Sequence, residues 1–404
     1  MPTLFLTQRF PPHAGPAARR LRHLAEYFAR EGKLFVICRG AAREPLPFVA
    51  ATYAIAANDL RNWLGKDGQT LGSATRRKPL YRFLLPLRQA FPFVYFTDDG
   101  GADYRRKALA LARQLIREEG IDTVFSSYQP WTDHLVARQL KREFPHLRWV
   151  ADFRDLPVDL VRADVWWPAL QRRWGGRVLK LADVVWTVSE GQRAQLAGWH
   201  PRIQVFRNAL LGLPPATTAP RTVHFTIVYT GSLYAGLQSA APLAEALADL
   251  LAAGEIPARH LRLLYRGKDA DLFREWMREL PAECLDIQTS IAPAAAQKMQ
   301  QSATLLLLLS WSAPGYYGVL TAKLWDYLAS GRPILALVNG PDDPELRGII
   351  AGAAAGAVFP TEEQGEVRQW LLDRYRAWLP TQTLEWSANP HFLRQFLDAG
   401  PLAP

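Results

Sequence analysis

Along nearly the whole chain, short apolar runs alternate with segments whose apolar residues recur at helical spacing. Leu4-Phe5-Leu6 reads as a first strand, and Ala17, Leu21, Leu24 and Phe28 then share one helical face up to Gly32. Leu34–Cys38 predicts the next strand; Tyr104, Ala108, Leu111 and Leu115 predict a helix stopped by Gly120, with Ile121–Phe125 as the strand after it. Trp149–Phe153 and Val184–Val188 continue the series. Residues 208–222 are proline-rich and read as a linker. A second alternation follows, with strands expected at Phe225–Thr230, Leu261–Tyr265, Leu285–Ile287, Thr304–Leu309 and Pro333–Val338. The pattern specifies parallel sheets covered by helices on both faces, hence an α/β chain of two successive Rossmann-like, doubly wound domains.

Size and composition agree with this. The chain has 404 residues, 49% of them hydrophobic and 21% charged, enough for two cores. Its longest unbroken apolar run, Leu305–Leu309, falls far short of the roughly 20 residues a membrane-spanning helix needs. The chain enters a strand-like run at Thr3, with no basic and apolar leader ahead of it. Two cysteines far apart, Cys38 and Cys284, form neither a disulfide framework nor a zinc spacing. Together these predict a cytoplasmic protein. The net charge of +10 points to an anionic contact such as nucleotide phosphates or a phospholipid surface; nucleic acid is not expected, because no recognised binding motif accompanies the charge. Residues 60–97 mix aromatic and basic side chains, from Trp63 through Arg76, Arg77, Lys78 and Arg88 to Phe96. Two readings stand: peripheral contact with an anionic membrane, or a helix with a basic solvated face and a buried aromatic one.

Five segments could carry chemistry. Phe10–Pro16 leads into the first helix; Gly15 permits close backbone approach, and Arg19 and Arg20 lie in the first turns, against a plain strand-to-helix loop. Ser126–Pro130 ends a buried strand, with His134 just inside the next helix. His134 is a candidate for sugar orientation or proton transfer, the alternative being a core histidine satisfied by its neighbours. In Asp152-Phe153-Arg154-Asp155, either Asp155 positions a sugar or acceptor, or Arg154–Asp155 and Asp152 with a base elsewhere form a structural ion network. Thr230-Gly231-Ser232 opens the second domain as a pyrophosphate loop or a tight turn. The most informative segment runs from Ser310 to Gly331, where a Gly/Pro-rich loop leads into a helix expected to begin near Val319. There the N–H groups of Val319, Leu320 and Thr321 would face a diphosphate, Tyr317 and Lys323 would flank it, and Asp326 would take ribose hydroxyls, against a capped surface helix. No HExxH, Walker, GxSxG or Cys/His cluster occurs, and no metal ligands are expected.

In this order and spacing the segments resemble the retaining, GT-B-fold glycosyltransferases of family 4, used for bacterial polysaccharides and glycolipids. Asp152–Asp155 is similar to the family's D-x-R-D segment, Ala182–Glu190 to its AD-x-v-x-TVSE, Arg207-Asn208-Ala209 to its x-N-G, Thr230–Leu233 to its second-domain entry, and Lys323–Ile334 to K-L-x-E-Y-L-A-x-G-x-P-I. Departures are equally specific. Family members often carry two acidic residues eight positions apart; here the later is Asp326 and the earlier position is Gly318. The Arg and Lys that often follow the second-domain glycine are replaced in a region holding Tyr234 and Gln238, and Arg266 and Lys268 are candidates to restore that charge.

The resemblance implies domains over 1–207 and 223–384 with a cleft between them, and a C-terminal helix over 385–404 crossing back to the first. It implies sugar transfer, with retention and without metal, from a nucleoside diphosphate sugar to a glycan or lipid-linked acceptor. The nucleotide sugar is then a substrate and no cofactor is expected. Gly15, Arg19, Gly231, Ser232, Arg266, Lys268, Tyr317, Val319, Leu320, Thr321, Lys323 and Asp326 would hold the donor, and His134 and Asp155 would serve catalysis. Two alternatives remain, a catalytically silent partner or scaffold with this fold and a sugar epimerase.

Overall fold

The structure, a computed structural model, describes residues 1–8, 10–11, 15–40, 46–57, 101–129, 131–159, 165, 167–210, 212–215 and 220–397. The basic, aromatic segment 60–97, Pro12–Ala14 of the first loop and Pro130 lie outside the described residues. The chain's described residues form two compact units, one within Met1–Val188 and Gln192–Arg207, the other within Ser189–Gly191 and 208–397.

The first unit is built on a seven-stranded parallel sheet. Its strands are β1 (Thr3–Leu6), β2 (Leu34–Arg39), β3 (Ala51–Ile55), β4 (Thr123–Tyr128), β5 (Arg148–Phe153), β6 (Val184–Thr187) and β7 (Ile203–Val205). They lie in the order β3-β2-β1-β4-β5-β6-β7, so the order reverses between β1 and β4. Helices α1 (Pro16–Glu31), α2 (Gly101–Glu119), α3 (Trp131–Glu143), α4 (Pro168–Leu179) and α5 (Glu190–Leu196) fall between strands. Pro16 starts α1, where the missing proline N–H is no loss. Phe5 stacks on Phe125 at 4.2 Å and Trp186 on Phe206 at 4.8 Å, joining β1, β4 and β6 to the end of the unit.

One buried ion pair ties these elements together. Arg20 on α1 donates from Nη2 to Asp152 Oδ1 on β5 (2.5 Å) and from Nη1 to the Phe206 carbonyl (2.8 Å), while Ser127 on β4 donates to Asp152 Oδ2 (2.9 Å). The partner that a carboxylate at the end of a buried strand requires is therefore Arg20, and the solvent-facing pair Arg154–Asp155 forms beside it at 3.1 Å.

The second unit is a six-stranded parallel sheet of β8 (Phe225–Thr230), β9 (Leu261–Arg266), β10 (Leu285–Gln288), β11 (Leu305–Trp311), β12 (Ile334–Asn339) and β13 (Gly356–Phe359). The order is β10-β9-β8-β11-β12-β13, the Rossmann arrangement, with its reversal between β8 and β11. The leucine run has a direct physical origin. Leu305, Leu307 and Leu309 enter the core on one face of β11, Leu306 and Leu308 the core on the other, and all are at most 2% exposed. Helices α6 (Ala241–Ala252), α7 (Ala270–Trp276), α8 (Pro293–Gln301), α9 (Ala322–Ser330), α10 (Pro344–Gly352), α11 (Val367–Trp378) and α12 (Pro390–Arg394) complete the unit.

The segment read as a linker packs on this second unit. Leu210 enters its core and donates to the Phe396 carbonyl, and Thr222 accepts from Trp378 Nε1. Up to Leu397 the C-terminal segment stays there too, with Phe396 against Trp325 at 5.1 Å. The remaining residues lie outside those described. No described helix is long and apolar enough to cross a membrane.

Removing one partner of the buried pair should be costly. Asp152→Ala leaves the Arg20 guanidinium uncompensated and is expected to lower stability by about 3–5 kcal/mol, whereas the apolar double variant Arg20→Met/Asp152→Leu recovers most of it. Urea denaturation followed by tryptophan fluorescence checks both, and an Asp152→Ala loss below about 1 kcal/mol contradicts the assignment.

Candidate functional site

In open parallel sheets, ligands bind beyond the carboxyl ends of the strands where strand order reverses. In the second unit that point is unusually open. β11 pairs with β12 over six residues, to Trp311 opposite Asn339, but with β8 only at Leu305–Ile227 and Leu306–Val228. Beyond that pair the two strands no longer share hydrogen bonds, and the loops that follow them hold the candidate residues.

After β8 the chain turns at Gly231, whose φ of 115° is left-handed territory that favours glycine. Its N–H donates to the Arg266 carbonyl (2.8 Å), and its carbonyl accepts from Tyr265 Oη (3.1 Å). The Ser232 carbonyl accepts from Tyr229 Oη (2.8 Å) and from Lys323 Nζ (3.1 Å). A Cβ on Gly231 would stand 2.7 Å from Lys323 Cε, so glycine lets the α9 lysine lie against the turn. The Lys323 ammonium also faces the Tyr229 ring at 5.2 Å. Burial pushes its pKa down to about 8, with Asp326 and Asp269 acting in the opposite direction. Lys323 is therefore mostly cationic at neutral pH but held at a cost.

The helix start differs from the sequence expectation. α9 begins at Ala322 with Thr321 as N-cap, and ends at Gly331 in the left-handed conformation. Two of the three N–H groups of Val319, Leu320 and Thr321, expected to be open, already have partners: Leu320 donates to the Gly318 carbonyl (2.9 Å) and Thr321 to the Val319 carbonyl (3.1 Å), while the Val319 N–H lies in the field of the Asp343 carboxylate. The open donors fall later: among the described residues, no hydrogen-bond partner is recorded for the Ala322 and Lys323 N–H groups, and the buried Thr321 Oγ1 has none. The expectation is corrected by about one helical turn, because the Gly318–Thr321 stretch is held non-helical. Asp326 lies one turn beyond Lys323, half-buried, and Tyr317 is half-buried in the preceding loop.

Other expected residues lie in different settings. Arg266 is buried and committed: Nη2 to Asp286 Oδ2 (2.6 Å), Nη1 to the carbonyls of Tyr265 (2.9 Å) and Asp286 (2.8 Å). Lys268 is exposed in the loop after β9. In the first unit, Gly15 precedes α1 with φ 120° and open space around it, Arg19 is exposed, and Asp155 is exposed beside Arg154. His134 is fully buried, with Phe153 at 4.7 Å; its Nδ1 shares a hydrogen bond with the Ser126 hydroxyl (2.7 Å), which accepts from Trp149 Nε1 (2.8 Å). Burial pushes its pKa down to about 3, which favours the neutral ring, and its buried Nε2 has no hydrogen-bond partner. Among the described residues, no group of three or more His, Cys, Asp or Glu side chains forms a metal site.

Asp269 and Asp343, outside the motifs singled out above, also shape the site. Asp269 accepts from the Leu233 N–H (2.8 Å) and so shapes the turn after β8. Asp343 carried a legible signal, since Asp-Pro-Glu is a helix-start signature.

No protein-family model matches the chain, and a search of curated proteins finds no match. Solved structures do match. A sucrose-phosphate synthase from Thermosynechococcus elongatus is 16% identical and aligns over 98% of this chain and 95% of its own, with a TM-score of 0.61. A structure described as trehalose-6-phosphate from E. coli bound with UDP-2-fluoro glucose, 12% identical, covers 98% and 95% at a TM-score of 0.53. WaaG, a glycosyltransferase involved in lipopolysaccharide biosynthesis, is 14% identical over 99% and 96% at 0.51. The fold is GT-B. In this GT-B chain the second Rossmann-like unit carries its Lys323, Gly231-Ser232 and α9 start at the strand-order reversal where that architecture places a ligand.

The buried ammonium has a stability signature. With a folded pKa near 8 against about 10.4 unfolded, the unfolded state binds more protons between those values, so stability should rise with pH across that window. Lys323→Met is expected to be more stable than the parent at pH 7 by on the order of 2 kcal/mol, with the difference shrinking toward pH 10. Urea midpoints of both proteins from pH 7 to 10 test this; a parent that is the more stable at pH 7 contradicts it.

Proposed function

We propose that this chain transfers a glycosyl group from a nucleoside diphosphate sugar to a hydroxyl of a glycan or lipid-linked acceptor. The observation that carries this reading is the convergence on the Gly231-Ser232 turn of the Lys323 ammonium, 3.1 Å from the Ser232 carbonyl, with the start of α9. A departing diphosphate gains negative charge on its bridging oxygen, and a fixed ammonium with open N–H groups stabilises that charge as it develops. Asp326, three residues along α9, would take the ribose hydroxyls. The same cation can serve where a metal otherwise would, so the transfer is proposed to be metal-independent, with the nucleotide sugar as substrate and no separate cofactor. Retention of configuration and the acceptor class come from the family 4 resemblance. The fold neighbour bound with UDP-2-fluoro glucose supports a nucleotide sugar as the ligand class.

A second reading, a silent GT-B partner protein, has one observation in its favour. Where the resemblance expects cations, Tyr234 packs on Trp311 at 5.1 Å, Gln238 donates to the Leu309 carbonyl (2.7 Å), and Arg266 is neutralised by Asp286. Calorimetric titration with a panel of nucleoside diphosphates and their sugars, followed by product analysis, separates the two. Micromolar binding that weakens at least tenfold in Lys323→Ala is expected. Asp326→Ala should weaken nucleoside diphosphates but not inorganic pyrophosphate. Binding with no sugar released to water or acceptor supports the silent partner, and no binding by any member of the panel sinks the transferase and leaves the silent partner standing.

A further inference from the structure

The start of α9 is held by a residue that belongs to another loop. Asp343, after β12, is fully buried. Its Oδ1 accepts from the N–H groups of Glu345 (3.1 Å) and Leu346 (3.0 Å), capping α10. Its Oδ2 accepts from the Gly318 N–H (2.8 Å), and the Val319 N–H lies in the field of the same carboxylate. A second link runs between the same loops, from Ser312 Oγ to the Pro341 carbonyl (2.5 Å). Gly318 has a left-handed φ of 74°, and a Cβ there would stand 2.6 Å from Glu345 Oε2. The loop before α9 is thus fastened at two points to the loop before α10, and Val319–Thr321 is held off the helical path by the left-handed Gly318 and by the Leu320 and Thr321 N–H groups, which turn back to carbonyls two residues behind them.

We infer that Asp343 is a positioning residue for the diphosphate: by holding the left-handed Gly318 it keeps the helix start at Ala322 and so sets which N–H groups, together with Lys323, meet the phosphates. This rests on the nucleotide-sugar reading above. Without the anchor, Val319–Thr321 is free to extend the helix by up to a turn, which would consume the open N–H groups of Ala322 and Lys323 in intrahelical bonds. A carboxylate is required because its two oxygens accept from both sides at once. Burial pushes its pKa up, opposed by the N–H groups of Leu346, Gly318 and Val319, and those bonds favour the ionised, all-acceptor form.

Asparagine separates the two jobs. In Asp343→Asn the amide oxygen still caps α10, but the amide nitrogen faces the Gly318 N–H, donor against donor. The full-length variant is expected to keep a urea midpoint near that of the parent, to exchange the Gly318 and Val319 amides at least tenfold faster, and to bind the parent's best nucleoside diphosphate at least tenfold more weakly. Should Asp343→Asn fail to fold, Asp343→Ser, which caps α10 and cannot reach Gly318, is read in the same way. Unchanged amide exchange overturns the inference, as does faster exchange with affinity within twofold of the parent. If the parent binds no nucleoside diphosphate, the functional reading fails on its own. The exchange arm then still decides the anchor, with slow exchange in Asp343→Asn overturning it and fast exchange upholding it.

Discussion

Every strand inside a parallel sheet needs a neighbour on each side for its backbone groups, and among the described inner strands of the second unit that demand is relaxed most between β8 and β11. The chain leaves these two strands toward opposite ends of the sheet order, so no connection crosses the gap above them. Their ladder stops after two residue pairs, while β11 continues beside β12 for the full six. The polar groups released there are taken up by side chains instead: Tyr327 Oη accepts from the Thr230 N–H (3.1 Å), Gln300 donates to Thr230 Oγ1 (2.8 Å), and Gln238 donates to the Leu309 carbonyl (2.7 Å). Tyr327 and Gln300 come from helices α9 and α8, and Gln238 from the loop that follows β8. The site is therefore the region where backbone pairing has been exchanged for side-chain pairing, which makes its chemistry depend on individual residues.

Lys323 shows the cost of that exchange. It sits between a tyrosine ring and a backbone carbonyl, in surroundings that favour its neutral form. An apolar residue would suit the packing better. Retaining an ammonium there makes sense for a protein that meets an anion, since the anion restores the solvation the lysine has lost. The Arg20–Asp152 pair in the first unit is the contrasting case: both charges are buried, but each is fully answered, and the pair fastens a helix to two strands with no need of a ligand.

Much of the fold was legible because the central strands are buried on both faces and spell continuous apolar runs, as Leu305–Leu309 does. The three strands that went unread, β3, β7 and β13, each lie at a sheet edge, where half-buried residues such as Ala51–Ala54 break the run. The partner of Asp152 was foreseen as a base elsewhere, but no spacing rule links position 152 to Arg20, 132 residues away. His134 read as chemistry because polar residues follow a strand end; its neutrality comes from Phe153, Trp149 and Tyr128, which only tertiary packing brings around it. The helix start was misplaced for a similar reason. Local propensity allows Val319–Thr321 to be helical, and the residue that prevents it is contributed by a loop about 25 positions further on.

The conformation at Gly318 also constrains how this sequence can change. The space where a side chain at 318 would begin is filled by the Glu345 carboxylate, and the backbone there is left-handed. A side chain at 318 would have to take up the left-handed backbone and displace the Glu345 carboxylate, the end of a flexible side chain that accepts from the Gly191 N–H (3.1 Å). What position 318 tolerates is thus tied to where the side chain at 345 lies.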